Sequence, residues 1–298
     1  MTIYILTNMT SSLYNKPTGL KLAELGGFTP IRPSDLVNLH PERGDVLIRY
    51  GLSSYPNKDL EFTVGWVFNK ADDIRKASNK LIASRIMYTH SIDTPKIWVN
   101  KDLITEDDLP VLGRDRYHTR GSDIVFIDTM EKLRRSHKDY YSKFIPSIAE
   151  YRLHVFEGEP IRLSKKIPTE EESIIHNFEN GYRFMDRWKR EEGDLELETN
   201  VVIPAGLRAI EVFNLDFGAV DILISEEKTP YILEINTAPR LNKYGRQLYV
   251  YYFRSKCMSE DDDPEEYAYT NYSRLRLNEG PLSNGLPITF RDIIKRRR

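Results

Sequence analysis

Cysteine is almost absent from this sequence: Cys257 is the single one among 298 residues. An intrachain disulfide therefore cannot form, and a zinc site built on several cysteines is excluded. Such a composition is typical of a reducing compartment, so we expect a cytoplasmic protein. No apolar run reaches the roughly 18 residues that a membrane-spanning helix needs, and the first residues lack the cationic lead of a signal peptide. We accordingly expect no membrane partner.

Charge of either sign is not in excess, because 43 lysines and arginines face 45 aspartates and glutamates. With a net charge of −2, the chain lacks the broad positive potential of a protein that coats nucleic acid. The terminal run Lys295–Arg298 is the only support for a nucleic-acid contact, and a solvated tail is the simpler interpretation. With 40% hydrophobic residues, the chain has enough apolar surface for a core.

Several motifs of nucleotide, metal and nucleophile chemistry are also missing. The sequence contains no GxxxxGK phosphate loop, no GxGxxG fingerprint and no HExxH zinc motif. The segment after Gly51 lacks the closing glycine of a nucleophile elbow, and the six histidines show no metal-ligand spacing. The sequence therefore gives no support to a P-loop, a Rossmann dinucleotide site or a covalent nucleophile.

The pattern of apolar residues predicts an α/β unit at the start of the chain. Arg49, in the second predicted strand of this unit, has two open interpretations: it lines a substrate site, or it forms a salt bridge at the strand end. The predicted elements are a strand at 3–6, a helix at 20–25 ended by Gly26 and Gly27, a strand at 45–51, a helix within 69–88, strands at 111–112 and 124–127, a hairpin of 151–156 and 160–164, a helix at 204–213, and strands at 218–224 and 231–235.

Two of these apolar strands carry polar side chains that suggest chemistry. Asp221 lies within the first, and Glu234 and Asn236 lie on the second. Because side chains alternate along a strand, Glu234 and Asn236 share one face. A carboxylate in an apolar strand is costly unless it is paired, so these residues form either a salt-bridged structural set or a metal site. Two carboxylates and an amide oxygen suit Mg²⁺ with a nucleotide phosphate completing its ligands.

This stretch, LDFGAVD at 215–221 and LEINTAP at 233–239, resembles the metal-binding core of the ATP-grasp superfamily, and in particular of phage-type carboxylate–amine ligases. The resemblance covers about residues 75–250, because further motifs follow in the family's order. They are NKL at 79–81, EYRLHV at 150–155, the lysines at 165 and 166, and NFENGY at 177–182. A phage origin, and with it the host cytoplasm, is implied by this resemblance alone.

The resemblance implies an α+β protein with the ATP-grasp fold. Its parts would be an N-terminal α/β domain at 1–75, a small grasping subdomain at 76–145, a C-terminal subdomain with the metal site at 146–257, and a tail at 258–298. The fold would bind ATP between the last two subdomains.

The resemblance also implies roles for individual residues. Asp221, Glu234 and Asn236 would bind one or two Mg²⁺ ions. Arg152 would face the transferred phosphoryl group with Lys165, whereas strand alternation makes Lys166 the weaker candidate. The expected nucleotide contacts are Lys80 on the phosphates, the backbone of Lys143, Phe144 and Ile145 on the adenine, Glu150 on the ribose, and Asn180 in the NFENGY motif.

The sequence departs from the family pattern at three places. Arg114 stands where the first grasping strand usually has a lysine, and a guanidinium can still neutralise phosphate. The loop 117–123 has one glycine where relatives often have more, and His118 in this loop is either a catalytic group or a solvated histidine. Arg240 replaces the commoner glycine after Pro239, which suggests that it recognises a substrate carboxylate.

The leading hypothesis is an ADP-forming ligase that acts on a small-molecule carboxylate and an amine. Two alternatives stay open: a nucleotide-binding module without turnover, and a ligase whose acceptor is a macromolecule such as a protein end or a modified DNA base. The sequence leaves the two substrates and the oligomeric state open.

Overall fold

The computed structural model describes residues 1–9, 16–53, 60–115, 124–168, 182–186 and 191–257. They divide into two compact units. The first comprises Met1–Arg75, Leu215–Gly218 and the chain from Thr237 onward, and the second comprises Lys76–Asn214 and Ala219–Asn236. Within the described ranges, no helix is both long and apolar enough to cross a membrane.

Strands and helices alternate in the first part of the chain, and long antiparallel strands follow. The strands are β1 (Ile3–Leu6), β2 (Thr29–Ile31), β3 (Val46–Arg49), β4 (Trp66–Phe68), β5 (Ile97–Trp98), β6 (Val111–Arg114), β7 (Val125–Ile127), β8 (Tyr140–Lys143), β9 (Ser147–Phe156), β10 (Glu159–Pro168), β11 (Tyr182–Met185), β12 (Phe217–Ser225) and β13 (Pro230–Asn236). The helices are α1 (Thr18–Gly26), α2 (Leu60–Thr63), α3 (Ala71–Ser78), α4 (Lys80–Thr89), α5 (Met130–Arg135), α6 (Asp194–Leu197), α7 (Ile203–Val212) and α8 (Lys243–Cys257).

The first unit is built on a parallel sheet of four strands in the order β2-β1-β3-β4. All four residues of β3 are buried, as expected for a strand covered on both faces. The predicted helix at 20–25 is confirmed as α1, which ends at Gly26 and is capped by Gly27 in the left-handed conformation, with φ of 62°.

Helix α8 packs against α1 in the same unit and has no counterpart among the predicted elements. The ring of Phe253 on α8 makes edge contacts with Phe28, Phe68 and Phe217 at centroid distances of 5.1–6.2 Å. Its buried residues Gly245, Tyr249, Val250 and Phe253 are interspersed with charges, which explains why its sequence did not predict a core helix.

The second unit contains two antiparallel sheets. The smaller has the order β5-β8-β6-β7, and the predicted hairpin is confirmed as β6 and β7, with Val111 opposite Ile127. The larger has the order β11-β10-β9-β12-β13. Helix α7 packs on β9 and β13, and Gly206 permits this contact, since a Cβ there would lie 2.6 Å from Leu153 Cδ2. One face of the larger sheet is therefore core, and the residues that alternate with Leu153 point to the other face.

The helix predicted within 69–88 is two helices, α3 and α4, with a break at Asn79. The side chain of Asn79 accepts hydrogen bonds from the backbone N–H groups of Leu81 and Ile82 at 3.1 and 3.2 Å. Asn79 is therefore the N-cap of α4. The cap makes Lys80 the first residue of a new helix, and this position matters for the site.

Candidate active site

The hairpin of β12 and β13 places the predicted metal ligands together. Asp221 and Glu234 are direct partners across the two strands, and the ladder is irregular just after them, between Asp221 and Ile222. Nδ2 of Asn236 donates to Oε1 of Glu234 at 3.0 Å. Glu234 and Asn236 therefore share one strand face, as the alternation predicted.

Arg152, on the neighbouring strand β9, binds Asp221 with two parallel hydrogen bonds. Its Nε and Nη2 donate to the two carboxylate oxygens, each at 2.6 Å. Burial raises the pKa of Asp221 to about 6, although the charge of Arg152 opposes this rise. Burial by itself would lower the pKa of Arg152, but Asp221 outweighs it and raises that pKa. Arg152 is thus a permanently charged group held in a fixed plane.

Lys80 adds positive charge beside Glu234. Its Nζ lies 3.6 Å from Oε2 of Glu234, and both side chains are about two-fifths exposed, at 41% and 36%. Burial by itself raises the pKa of Glu234, but the charge of Lys80 and the hydrogen bond from Asn236, with smaller contributions from two arginines, lower it. Glu234 is therefore an anion at neutral pH.

Arg114, the last residue of β6, is one of the two arginines whose charge lowers the pKa of Glu234. Its Nε is buried and has no hydrogen-bond partner among the residues that the structure describes. A buried donor without an acceptor is unfavourable. The position of Arg114 thus suits an anion that the described chain does not itself provide, and phosphate is such an anion.

Glu150, Lys166 and Phe184 complete this face of the sheet. Nζ of Lys166 lies 2.5 Å from Oε1 of Glu150. The ring of Phe184 contacts two cations, with its centroid 4.2 Å from Cζ of Arg152 and 5.3 Å from Nζ of Lys166. Such cation–π contacts favour one placement of both cations. No sequence motif pointed to Phe184; the pairing of Phe184 with Lys166 across β11 and β10 brings it here.

The structure corrects the placement of Lys165, which was expected beside Arg152. Lys165 is opposite Tyr151, and Ser164 is opposite Arg152, so Lys165 lies on the other sheet face. Its Nζ lies 3.3 Å from the carboxylate of Asp194. The prediction that Lys166 points away from the site is wrong as well. The alternation argument was sound, but it needed the strand register to decide which lysine faces Arg152.

The donor set at this hairpin fits Mg²⁺. Asp221 and Glu234 provide carboxylate oxygens, and Asn236 provides an amide oxygen because its nitrogen is directed at Glu234. In the described parts of the chain, no group of three or more His, Cys, Asp and Glu residues could hold a metal by itself. Two carboxylates and one amide are the sparse set that Mg²⁺ uses when phosphates and water complete its octahedron.

Solved structures match the chain over most of its length, whereas no protein-family model and no curated protein matches it. D-alanine–D-alanine ligase from Bacillus anthracis, complexed with ATP, has a TM-score of 0.59 at 13% identity, covering 82% of this chain and 88% of that one. The ATP-grasp ligase PsnB, complexed with a minimal precursor, has a TM-score of 0.55 at 10% identity, covering 86% and 99%. The macrocyclase MdnC, bound with precursor peptide MdnA from Microcystis aeruginosa MRC, has a TM-score of 0.54 at 12% identity, covering 87% and 100%.

The chain has an ATP-grasp fold. This confirms the α+β ATP-grasp fold class that the motifs implied. The sequence identities are low enough that the likeness concerns the fold, and the chemistry has to be argued from the side chains on it.

The adenine contact of the segment Lys143, Phe144 and Ile145 stays a prediction, and the bonds of this segment narrow it. Nζ of Lys143 donates to the backbone oxygens of Asp108 and Leu109 at 2.8 and 3.1 Å, and the ring of Phe144 makes an edge contact with Phe126 at 5.1 Å. The N–H groups of Lys143 and Phe144 bond to the oxygens of Lys96 and Pro110. Of the three N–H groups in the predicted adenine-binding segment, that of Ile145 is thus the one that stays a candidate for the adenine contact.

Three further predicted site residues also lie outside the described cluster. Arg240 is exposed and belongs to the first unit, so its role stays a prediction. His118 and Asn180 lie outside the described residues, as do the rest of loop 117–123 and the tail from 258.

Proposed function

We propose that this ATP-grasp chain is an ADP-forming ligase that joins a carboxylate to an amine through an acyl phosphate. One observation carries the proposal: three acids, Asp221, Glu234 and Glu150, lie together with four cations, so that the cluster has one positive charge in excess. Those cations are Lys80, Arg114, Arg152 and Lys166. The finer assignment to phage-type carboxylate–amine ligases depends on the motif at 215–239.

The similar structures support a ligase of this general kind. They are a D-alanine–D-alanine ligase solved with ATP, an ATP-grasp ligase and a macrocyclase. ATP and Mg²⁺ are the ligands that the cluster fits by its own chemistry. Mg²⁺ bound by Asp221, Glu234 and Asn236 would supply positive charge to the phosphate oxygens.

The reaction that we propose has two steps. An oxygen of the substrate carboxylate attacks the γ-phosphorus of ATP, the bond to the β–γ bridging oxygen breaks, and ADP leaves. The amine nitrogen then attacks the acyl carbon, phosphate leaves with the electron pair of the C–O bond, and the amine loses a proton to solvent or phosphate. No covalent bond to the protein is formed.

The side chains of this chain act on charge and position. Lys80 and Arg114 would bind the phosphates of the nucleotide, and Arg114 Nε would gain the acceptor that it lacks. Arg152, held by Asp221 and Phe184, would neutralise charge on the moving phosphoryl group, and Lys166 would act beside it. Removing one such preorganised donor typically slows an enzyme by about 10²–10³-fold.

A peptide or protein substrate is the second candidate that an observation favours. PsnB was solved with a minimal precursor and MdnC with a precursor peptide. The ligase chemistry is the same in this case, but the carboxylate or the amine belongs to a polypeptide.

The experiment measures ADP release from ATP and Mg²⁺ with pooled amino acids, short peptides and polyamines. Nucleotide binding is measured in parallel by calorimetry. We expect ADP release that depends on the pool and is lost in Glu234→Ala, since that change removes a metal ligand. Glu226→Ala is the matched control, because Glu226 is exposed in the turn of the same hairpin.

Each outcome of this experiment decides between the hypotheses. Pool-dependent ADP that disappears only in Glu234→Ala supports the ligase. Tight binding of Mg²⁺ and ATP without ADP contradicts a small-molecule ligase and leaves the nucleotide-binding module or a macromolecular acceptor. Absence of nucleotide binding would contradict the proposal altogether.

A further inference from the structure

A cavity of about 380 Å³ lies in the first unit. The residues that line it come from the first part of the chain and include none of the residues of the charged cluster. Its lining residues are Asn8, Met9, Arg32, Pro33, Ser34 and Leu52. Its volume is within the range of small-molecule sites. No role assigned above uses any of these six residues.

The cavity lies at the carboxyl ends of three parallel strands. Asn8 and Met9 follow β1, Arg32 to Ser34 follow β2, and Leu52 follows β3. The chain passes from β1 to β2 on one side and then returns to β3 on the other side of β1, so the strand order reverses here. Ligands of open parallel sheets bind outside the carboxyl ends of the strands at such a reversal.

Arg32 gives this cavity its charge. Its Nε donates to the sulfur of Met9 at 3.2 Å, which is a weak acceptor, and no carboxylate pairs with its guanidinium within the described ranges. The nearest acid in sequence, Asp35, is engaged elsewhere: it accepts from the backbone N–H of Arg32 at 2.9 Å and from the hydroxyl of Ser34 at 3.2 Å. The guanidinium therefore keeps donors for an anion from outside the chain.

The other residues that line the cavity indicate which chemical groups the ligand has besides its anion. Met9, Pro33 and Leu52 are apolar, and Leu52 packs against the buried cluster of Leu6, Ile31, Leu36, Leu47 and Val64. Asn8 adds one amide. A planar fork of donors beside an apolar wall suits a carboxylate on a small, partly apolar molecule.

We infer that this cavity binds the terminal carboxylate of an amino acid or short peptide through Arg32. This inference rests on the proposed function, because the bound molecule would be a substrate of the ligase. A free amino acid and a peptide C-terminus share this chemistry, and the experiment separates them.

The test uses the full chain without nucleotide, so that it does not depend on turnover. The probes are the proteinogenic L-amino acids and dipeptides ending in each of them, every one beside its C-terminal amide. Binding is measured by saturation-transfer NMR and calorimetry. We expect at least one acid to bind and its amide to bind about tenfold more weakly, since the amide loses the charge-assisted pair.

Arg32→Gln is expected to weaken the acid by about tenfold and to leave the amide unchanged. Arg43→Gln is the matched control, because Arg43 is an exposed arginine before β3, at the opposite end of the same strands. Preference for amino acids or for dipeptides identifies the source of the carboxylate.

Three results would overturn the inference: no probe binds, the amides bind as well as the acids, or Arg32→Gln binds the acid like the unchanged chain. Failure of the ligase proposal looks different. In that case acid binding through Arg32 persists, but no ADP forms with the acid that binds.

Discussion

Two short ion pairs, one in each unit, differ in what surrounds them. Nε of Arg49 lies 2.5 Å from Oε1 of Glu61, with side-chain exposures of 0% and 13%. Oε1 of Glu61 also accepts from the backbone of Ala71 at 3.1 Å. Arg49 and Glu61 therefore tie the end of β3 to the segment that leads into α3, which is the structural one of the two interpretations that the sequence left open.

The Arg152–Asp221 pair is nearly as short, at 2.6 Å, and further acids and an aromatic ring surround it. Glu150 and Glu234 also act on its charges, and Phe184 contacts the arginine. In such a group of charges, several neighbours offset the loss of hydration of each member. Burial of an ion pair therefore does not by itself mark a site, and the acids and the ring around Arg152 are what indicate one.

The comparison is tested most strongly by removing one acid from each pair. Glu61→Gln removes the negative charge that faces the fully buried Arg49, and we expect the free energy of unfolding to fall by about 3–5 kcal/mol. Asp221→Asn is expected to cost less stability, because two other acids act on Arg152, but to slow ATP turnover by at least about 10²-fold. Urea unfolding and ADP release measure the two effects. Equal losses of stability in both variants would contradict the distinction.

Two adjacent lysines on β10 provide a second test, because they lie on opposite faces of the same strand. Lys166→Met is expected to slow ATP turnover by about 10–100-fold, because Lys166 lies beside Phe184 and Arg152. Lys165→Met is the matched control and is expected to change turnover by less than about threefold, since Lys165 pairs with Asp194 on the other face. Steady-state kinetics with the identified substrate measures both. If Lys165→Met slowed turnover more than Lys166→Met, the assignment of Lys166 to the site would be contradicted.

An ion pair at the surface is expected to have the smallest effect on stability. Nζ of Lys96 lies 3.1 Å from Oδ1 of Asp108, and hydrogen bonds from the backbone of Thr105 and then from Lys96 lower the pKa of Asp108 from 3.8 to about 2. Because this pKa is depressed on folding, the contribution is complete above pH 3.8 and is lost as the pH falls through about 2.

Asp108→Asn is therefore expected to cost only about 0.5 kcal/mol at pH 7. The difference from the unchanged chain should shrink between pH 4 and pH 2, as measured by urea unfolding at each pH. A difference that does not vary over this range would show that the charge of Asp108 contributes nothing.

Much of the candidate site follows from local sequence. Glu234 and Asn236 share a face because they are two residues apart in a strand, and Asn79 caps the helix that begins with Lys80. Both features depend only on residues that are close in sequence, so no distant contact is needed to form them. The motifs around them were enough to predict the ATP-grasp fold.

The contacts between distant side chains, in contrast, depend on how the strands are arranged in the folded chain. Arg152 and Asp221 are 69 residues apart, and their strands must be neighbours before the pair can form. The choice between Lys165 and Lys166 depends on register, since a shift of one residue exchanges the faces of a strand. Phe184 and helix α8 were missed for a related reason: their neighbours come from other parts of the chain, and a side chain shows what it packs against only when the fold is complete.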